Sequence, residues 1–354
     1  MNLLFVVYSI VQSEGGSLPI ETLVKKINAS KQFKKPDNSP ITITELTDLI
    51  RNYGKNIQVD FEGEVKTFFA PEKPINLLYW NIIEKLRSSK EQAEIAGITI
   101  LFYARVSESP TFYPFGELRL SSLSRFKSKS NCKDYFIDEL KKLNKHELFN
   151  GKLKSAINSI SNIEENILHE IFHRIDSFDI SNHEISVEGF AIQFQDLFLN
   201  VDRFSKSITY IPEFIREIIS EMVISRPFNT IYNPVIGVGE VYTSIQSRLK
   251  NSSEIAFIGD STFDIYGFTG TMNLILHQFQ NFSISTNNPL INPTVQPHSI
   301  DCVICQPPFG GQSSINDWQL DADYMKFGRS SKMEVLFLQF VLNVLNDKGR
   351  GYII

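Results

Sequence analysis

The alternation of short apolar runs with helical patterns between Thr230 and Cys305 constrains this chain more than any other feature. Thr230-Ile231-Tyr232, Ile255-Ala256-Phe257-Ile258 and Asp301-Cys302-Val303-Ile304-Cys305 are strand-length and end at Gly, Pro, Asn or Gln. Glu240 to Leu249 has helical spacing after the first run. Asp264 to Phe279 has it after the second, with Met272, Leu274, Ile275 and Leu276 expected to pack on a sheet. Strands joined by crossovers of this length form right-handed βαβ units, with a parallel sheet between layers of helices. Ligands bind such sheets at the carboxyl ends of the strands, where Gly237, Asp260 and Gln306 should emerge together.

The three strand exits carry the chemistry. Asn233-Pro234-Val235-Ile236-Gly237-Val238-Gly239 puts two glycines, spaced by one, between a strand and a helix, which lets backbone approach a nucleotide. Gly259-Asp260-Ser261 offers polar groups at the second exit. At the third, Gln306-Pro307-Pro308-Phe309 leaves the sheet in one stiff conformation, because two prolines fix φ and withdraw two donors. Gln306 then offers an amide to a planar substrate, and Phe309 a stacking face. Pro-Pro-Phe alone would read as a turn; the two exits upstream give it a chemical reading.

Together, Asn-Pro-x-x-Gly-x-Gly from Asn233, Thr271-Met272-Asn273-Leu274-Ile275-Leu276-His277 and Gln306-Pro307-Pro308-Phe309-Gly310 resemble the methylation subunit of type I restriction-modification systems. Tyr210-Ile211-Pro212 is similar to the family's Tyr-Thr-Pro segment. Leu78 to Arg87 is similar to the start of its helical amino-terminal domain, so the likeness spans roughly residues 75 to 354. The resemblance implies a DNA adenine-N6 methyltransferase with a Rossmann-like core that uses S-adenosylmethionine without a metal. It implies cofactor contacts at Tyr210, Pro212, Asn233, Gly237, Gly239 and Ser261 or Asp260. It also implies that Phe309 stacks on a flipped adenine, while Gln306 and the Pro307 carbonyl accept the N6 hydrogens on a segment stiffened by Pro308. The implied partners are double-stranded DNA and a separate specificity subunit.

Four positions depart from the family. Asn233 replaces Asp, Ile236 replaces Cys, Ser261 stands where an acidic residue meets the ribose, and Gln306 replaces Asn. One added methylene at position 306 moves the amide by about 1 Å, enough to cost on the order of 100-fold in rate. A lost carboxylate weakens a ribose contact, since charge-assisted bonds are about twice as strong as neutral ones. A catalytically silent methyltransferase-like subunit that binds DNA or proteins is therefore the second expectation.

Length and composition fit this organisation. The chain has 354 residues and 42% apolar content, enough for several cores. We expect a winged-helix-like domain over 1–72, a helical domain over 73–205 and the methyltransferase core over 206–354, unfinished at its carboxyl end. In the first, Leu3 to Gln12, Leu18 to Ile27 and Ile43 to Arg51 read as helices, and Ile57 to Phe61 with Val65 to Phe69 as a hairpin. Lys25, Lys26, Lys31, Lys34 and Lys35 form a run suited either to phosphates or to plain solvation. Ser121 to Ser130 reads as a basic, Ser-rich loop. A net charge of −5 confines any DNA contact to local patches. Cys132, Cys302 and Cys305 read as core thiols of a cytoplasmic protein, and no run is long enough to span a membrane.

One motif competes. His169-Glu170-Ile171-Phe172-His173 matches His-Glu-x-x-His, which on a helix turns two imidazoles to one side for zinc, with Glu170 as base of a hydrolase. His183, Glu184 or Glu188 would supply the third ligand. Arg174 immediately after the second histidine speaks against it, and our expectation is no metal.

Overall fold

The computed structural model of the chain describes residues 7, 10–11, 17–29, 35, 39–53, 57–59, 63–67, 74–86, 90–112, 114–116, 118–124, 131–178, 186–199, 211–249, 251–308 and 332–354. They fall into two compact units, Met1–Pro74 and Ile75–Ile354.

The first unit contains β1 (Ser17–Pro19), α1 (Ile20–Ala29), α2 (Ile43–Tyr53), β2 (Ile57–Val59) and β3 (Glu64–Thr67). β3 lies between β1 and β2, antiparallel to both, over a core that includes Leu23, Ile27, Leu46, Ile50 and Val65. Ser17-Leu18-Pro19 pairs as a strand, although Leu18 and Pro19 read as the start of a helix. Its register runs from Ser17–Lys66 to Pro19–Glu64, and the helix starts at Ile20, whose N–H donates to Gly63 O at 2.9 Å. Proline suits the entry to a helix because it has no N–H to lose there. Thr42 and Glu45 form a reciprocal capping box at the start of α2. Lys35 is held by Glu45 and the Pro40 carbonyl, while Lys31 and Lys34 lie outside the described residues. The helix expected over Leu3 to Gln12 is also mostly outside them, so the winged-helix-like arrangement stays an expectation.

The second unit opens with helices α3 (Pro74–Lys85), α4 (Lys90–Glu108), α5 (Leu120–Ser124), α6 (Cys132–Lys145), α7 (Lys154–Ser161), α8 (Glu165–Phe178), α9 (Val187–Leu199) and α10 (Glu213–Ile224). Ser121 to Ser124, read as loop, is helical. Leu120 and Leu123 are buried there, and Ser124 Oγ donates to Asp176 on α8 at 2.7 Å. Tertiary burial outweighs the weak helix preference of serine. Residues 125–130 of that loop lie outside the described residues.

The sheet follows: β4 (Thr230–Asn233), α11 (Glu240–Gln246), β5 (Ala256–Asp260), α12 (Asp264–Leu276), β6 (Phe282–Ser285), β7 (Ile300–Cys305), α13 (Met333–Val344) and β8 (Leu345–Ile353). All five strands are parallel, in the order β6-β5-β4-β7-β8. β4 is central, and the order reverses between it and β7. Side chains alternate between two cores. Ile231, Cys302 and Ile304 join α11, α12 and the preceding helices, whereas Tyr232, Val303 and Cys305 join α13. The helical stretch and the sheet share that larger core, which holds Phe102, Phe172 and Phe194 together with Ile231, Phe268 and Ile304. β8 carries a register shift against β7, between the Ile300–Leu345 and Cys302–Arg350 pairs. Among the described residues no helix is long and apolar enough to cross a membrane.

Candidate active site

Parallel strands deliver their carboxyl ends to one edge, and β5, β4 and β7 are neighbours there. Asn233 is paired with Gly259, and Tyr232 with Val303. The glycine loop, the Asp260-Ser261 exit and Gln306 thus share one rim, at the point where strand order reverses. Open parallel sheets form their ligand crevice at that point.

The loop leaving β4 is braced from below. Asn233, buried, accepts the Val235 N–H on Oδ1 at 2.9 Å, and Ile236 N–H donates to Asp260 O at 3.0 Å. Gly237 and Gly239 have φ of +57° and +79°, left-handed backbone that favours glycine. A Cβ on Gly237 would meet only Glu240 Oε2, at 3.5 Å, so this glycine presents bare backbone. α12 holds the loop from behind. Asn273 Nδ2 donates to Val238 O at 2.8 Å and to Gln195 Oε1 at 2.9 Å, and Leu274 Cδ2 sits 3.1 Å from where a Gly239 Cβ would be. Thr271 to Leu276 is therefore the buried second half of a helix, with half-buried His277 as its cap. His277 is held by burial below the usual imidazole range, with its Nδ1 at 2.9 Å from Asn273 O.

At the second exit the polar groups are already engaged. Tyr232 OH donates to Asp260 Oδ2 at 2.7 Å, Thr294 N–H donates to the same oxygen at 3.1 Å, and the Thr294 hydroxyl donates to Oδ1. Burial pushes the Asp260 carboxyl up, against these bonds. Asp260 thus ties β4 to the segment before β7, with both carboxylate oxygens occupied inside the protein. Ser261 Oγ bonds within its own loop, donating to Phe263 O at 3.0 Å. Two residues on, Phe263 is 54% exposed and edge-on to Tyr266, at 5.9 Å between centroids. An apolar ring standing in solvent beside Ser261 is a stacking face that sequence reading passed over.

At the third exit Gln306 is buried directly after Cys305, followed by Pro307 and Pro308. Phe309 lies outside the described residues, as does Tyr210. Cys302 and Cys305 are free and buried. Burial raises both thiols, that of Cys302 to about 12, which leaves them inert core groups.

Two charged side chains complete the neighbourhood. Ile211 N–H, beside Pro212 at the entry to α10, donates to Glu240 Oε1 at 3.4 Å. Glu240 Oε2 is buried with no hydrogen-bond partner among the described residues, and so are Nε and Nη1 of Arg216 on α10. Sequence offered a signal for Glu240, an acid placed directly after Gly-x-Gly. It offered none for Arg216.

The His-Glu-x-x-His helix is α8. His169, Glu170, His173 and Arg174 line a depression with Lys85, whose Nζ pairs with Glu170 at 3.0 Å. The glutamate that zinc chemistry would need as base is thus paired with a lysine. No group of His, Cys, Asp and Glu able to hold a metal occurs among the described residues, and His183 and Glu184 lie outside them.

Residues 193–354, which take in the whole parallel sheet, match the sequence profile of the N-6 DNA Methylase family. This part of the chain is similar to N-6 DNA methylases. Solved structures extend the likeness in fold through the helical part. The type I restriction-modification methyltransferase subunit from Streptococcus thermophilus superposes with a TM-score of 0.55 at 14% identity, over 79% of this chain and 74% of that one. A modification subunit assigned to a type I restriction enzyme of Vibrio vulnificus YJ016 gives 0.52 at 14%, over 79% and 70%. A chain of a type I restriction-modification assembly gives 0.51 at 16%, over 78% and 62%. No curated protein sequence matches the chain.

Proposed function

We propose that the chain is a methyltransferase subunit of a type I restriction-modification-like system, acting on the N6 of adenine in double-stranded DNA with S-adenosylmethionine as methyl donor. The carrying observation is the shared rim, where the left-handed loop of Gly237 and Gly239 stands between the exits led by Ser261 and Gln306. The residues fit the cofactor: bare backbone at Gly237, an exposed ring at Phe263 and orphaned polar atoms on Glu240 and Arg216. S-adenosylmethionine, when bound, supplies an electrophilic methyl group on a sulfonium.

The chain's own residues do the rest. The Gly237–Gly239 loop and the Ile211-Pro212 segment bind, and Phe263 offers a face to an adenine ring. The Gln306 amide oxygen and the Pro307 carbonyl accept the two N6 hydrogens, which turns the nitrogen lone pair toward the donor. Pro307 and Pro308 hold that geometry stiffly, and Phe309 stacks on the extruded base. Target choice falls to a separate specificity subunit, and the helical part of residues 73–205 gives that complex its surface.

A second reading, a silent subunit, draws on three observations. Asn233 Oδ1 closes a local turn, both oxygens of Asp260 are occupied internally, and Ser261 Oγ bonds within its own loop. The test is calorimetry with S-adenosylmethionine, followed by labelled-methyl transfer to duplex DNA in the presence of a specificity subunit. Transfer to adenine establishes the enzyme. Binding without transfer leaves the silent subunit, and no binding at millimolar cofactor removes the enzyme reading.

A further inference from the structure

α10 turns an apolar residue toward solvent at every fourth position. Phe214, Ile218 and Met222 are 64, 56 and 50% exposed, while Arg216, Ile219, Ser220 and Val223 form the buried face of the same helix. A surface helix ordinarily shows water a polar face. Exposed apolar residues scattered singly call for no explanation, but these three are not scattered. Steps of four keep them on one side of the helix, and at 1.5 Å per residue they make a ridge about 12 Å long. Apolar anchors at this spacing are how one helix seats on another.

The flank of the ridge selects its occupant. Glu217 and Glu221 run along one side of it, and both meet Arg248, at 3.7 and 3.1 Å. One guanidinium between two carboxylates leaves a negative charge, and both acids are more exposed than the arginine they share. Antiparallel pairing with a second copy of this chain would set that acidic flank against itself, which like charges oppose. A helix carrying lysine or arginine beside its own apolar stripe meets both features at once. The ridge is also held ready. Tyr352 OH on β8 donates to Met222 O at 3.0 Å, and Arg350 Nη2 donates to Arg226 O at 3.0 Å, so the carboxyl end of α10 is tied to the sheet. A fixed surface loses little freedom when a partner binds.

We propose that the Phe214–Ile218–Met222 ridge of α10 docks an amphipathic helix of a partner protein, one with apolar residues at three- and four-residue spacing and basic residues along one flank. The apolar ridge supplies the attraction, and Glu217 and Glu221 set the charge that the partner must carry. This surface faces away from the core of α10 and does not depend on methyl transfer.

Fluorescence anisotropy on the full chain tests it with two labelled helical peptides that share one leucine stripe, flanked by lysine in one and by glutamate in the other. The lysine-flanked peptide should bind at least about tenfold tighter, by a margin that narrows as salt is added. Ile218→Ser combined with Met222→Ser should weaken it by about tenfold or more. Both positions are exposed, so thermal stability should stay near that of wild type. Glu217→Lys combined with Glu221→Lys should turn the preference toward the glutamate-flanked peptide, with little cost to the fold because exposed ion pairs contribute little. Equal affinity for the two peptides, binding that ignores Ile218 and Met222, or no binding at millimolar peptide would each overturn the proposal. So would light scattering that finds a wild-type dimer dissolved by Ile218→Ser, since the ridge would then belong to a second copy.

Discussion

Asn273 donates from Nδ2 to the Val238 carbonyl at 2.8 Å, and so ties the second half of α12 to the loop between Gly237 and Gly239. The same nitrogen reaches Gln195 on α9 at 2.9 Å, and Thr243 on α11 donates to that Gln195 oxygen, also at 2.9 Å. One buried amide thereby fixes a backbone carbonyl of the loop proposed to meet the cofactor. Asn273→Ala leaves the Val238 carbonyl unmet. We expect a loss of about 1–3 kcal/mol in chemical denaturation, with weaker S-adenosylmethionine binding in calorimetry. Unchanged binding at reduced stability would confine Asn273 to the core.

Gly259 in β5 lies under Ile236, one of the positions that departs from the family. A Cβ at 259 would fall 2.2 Å from Ile236 Cδ1 and 3.0 Å from its Cβ. Gly259→Ala should cost about 1–3 kcal/mol. Adding Ile236→Ala removes the nearest atom and should return part of that loss, a coupling of roughly 0.5–2 kcal/mol in a double-mutant cycle. Strict additivity would show that the two sites do not touch.

Lys152 is a half-buried amine whose Nζ donates to Leu148 O, and its partial burial lowers it from 10.5 to about 8. A base depressed by folding opposes folding while it is charged in both states. The penalty is complete below about pH 8, shrinks as pH rises, and is gone above 10.5. Lys152→Met should therefore stabilise the protein at neutral pH by roughly 1–3 kcal/mol. The gap from wild type should narrow between pH 8 and 10.5 in denaturation measured across that window.

Asp301 gathers the amino ends of the sheet. It accepts the N–H groups of Asn229 and Thr230, at 2.8 and 2.9 Å, and the Asn346 amide at 2.7 Å. Burial raises this carboxyl, but the bonds from Asn229, Asn346 and Thr230 outweigh it and hold it below the usual range. That stability is present above the ordinary carboxylate value near 3.8 and is lost as pH falls through the lower folded value. Asp301→Asn should cost about 0.5–1.5 kcal/mol at pH 7, reduced for partial solvent screening. The difference should disappear in acid.

Gln306 carries the substrate end of the proposal. Gln306→Ala should lower methyl transfer by about 100-fold or more while leaving cofactor binding intact. Gln306→Asn, which shortens the side chain by one methylene, should raise transfer. A chain whose transfer ignores both substitutions does not use this amide.

Much of the rim was legible because it depends on local rules. Apolar runs, two glycines in Gly237-Val238-Gly239 and the prolines after Cys305 dictate strands, a left-handed loop and a stiff exit without reference to anything distant. Their spacing then dictates parallel pairing. The edge strand Phe282–Ser285 was not legible, since it is short and pairs on one side only, with β5. β1 was read as helix for a similar reason, because a three-residue strand is defined by its partner Glu64–Lys66 and not by its own pattern.

The sequence by itself determined which residues stand at the carboxyl rim, because strand direction and loop chemistry are properties of neighbours along the chain. Only the tertiary structure decided what those residues are free to do. It placed Tyr232 and Thr294 on Asp260 and so withdrew that carboxylate, turned Asn273 onto the glycine loop, and left Arg216 and Glu240 buried without a mutual ion pair among the described residues. Availability of a polar group depends on which partners reach it through space, and residues 24 or more apart in sequence carry no local record of that meeting.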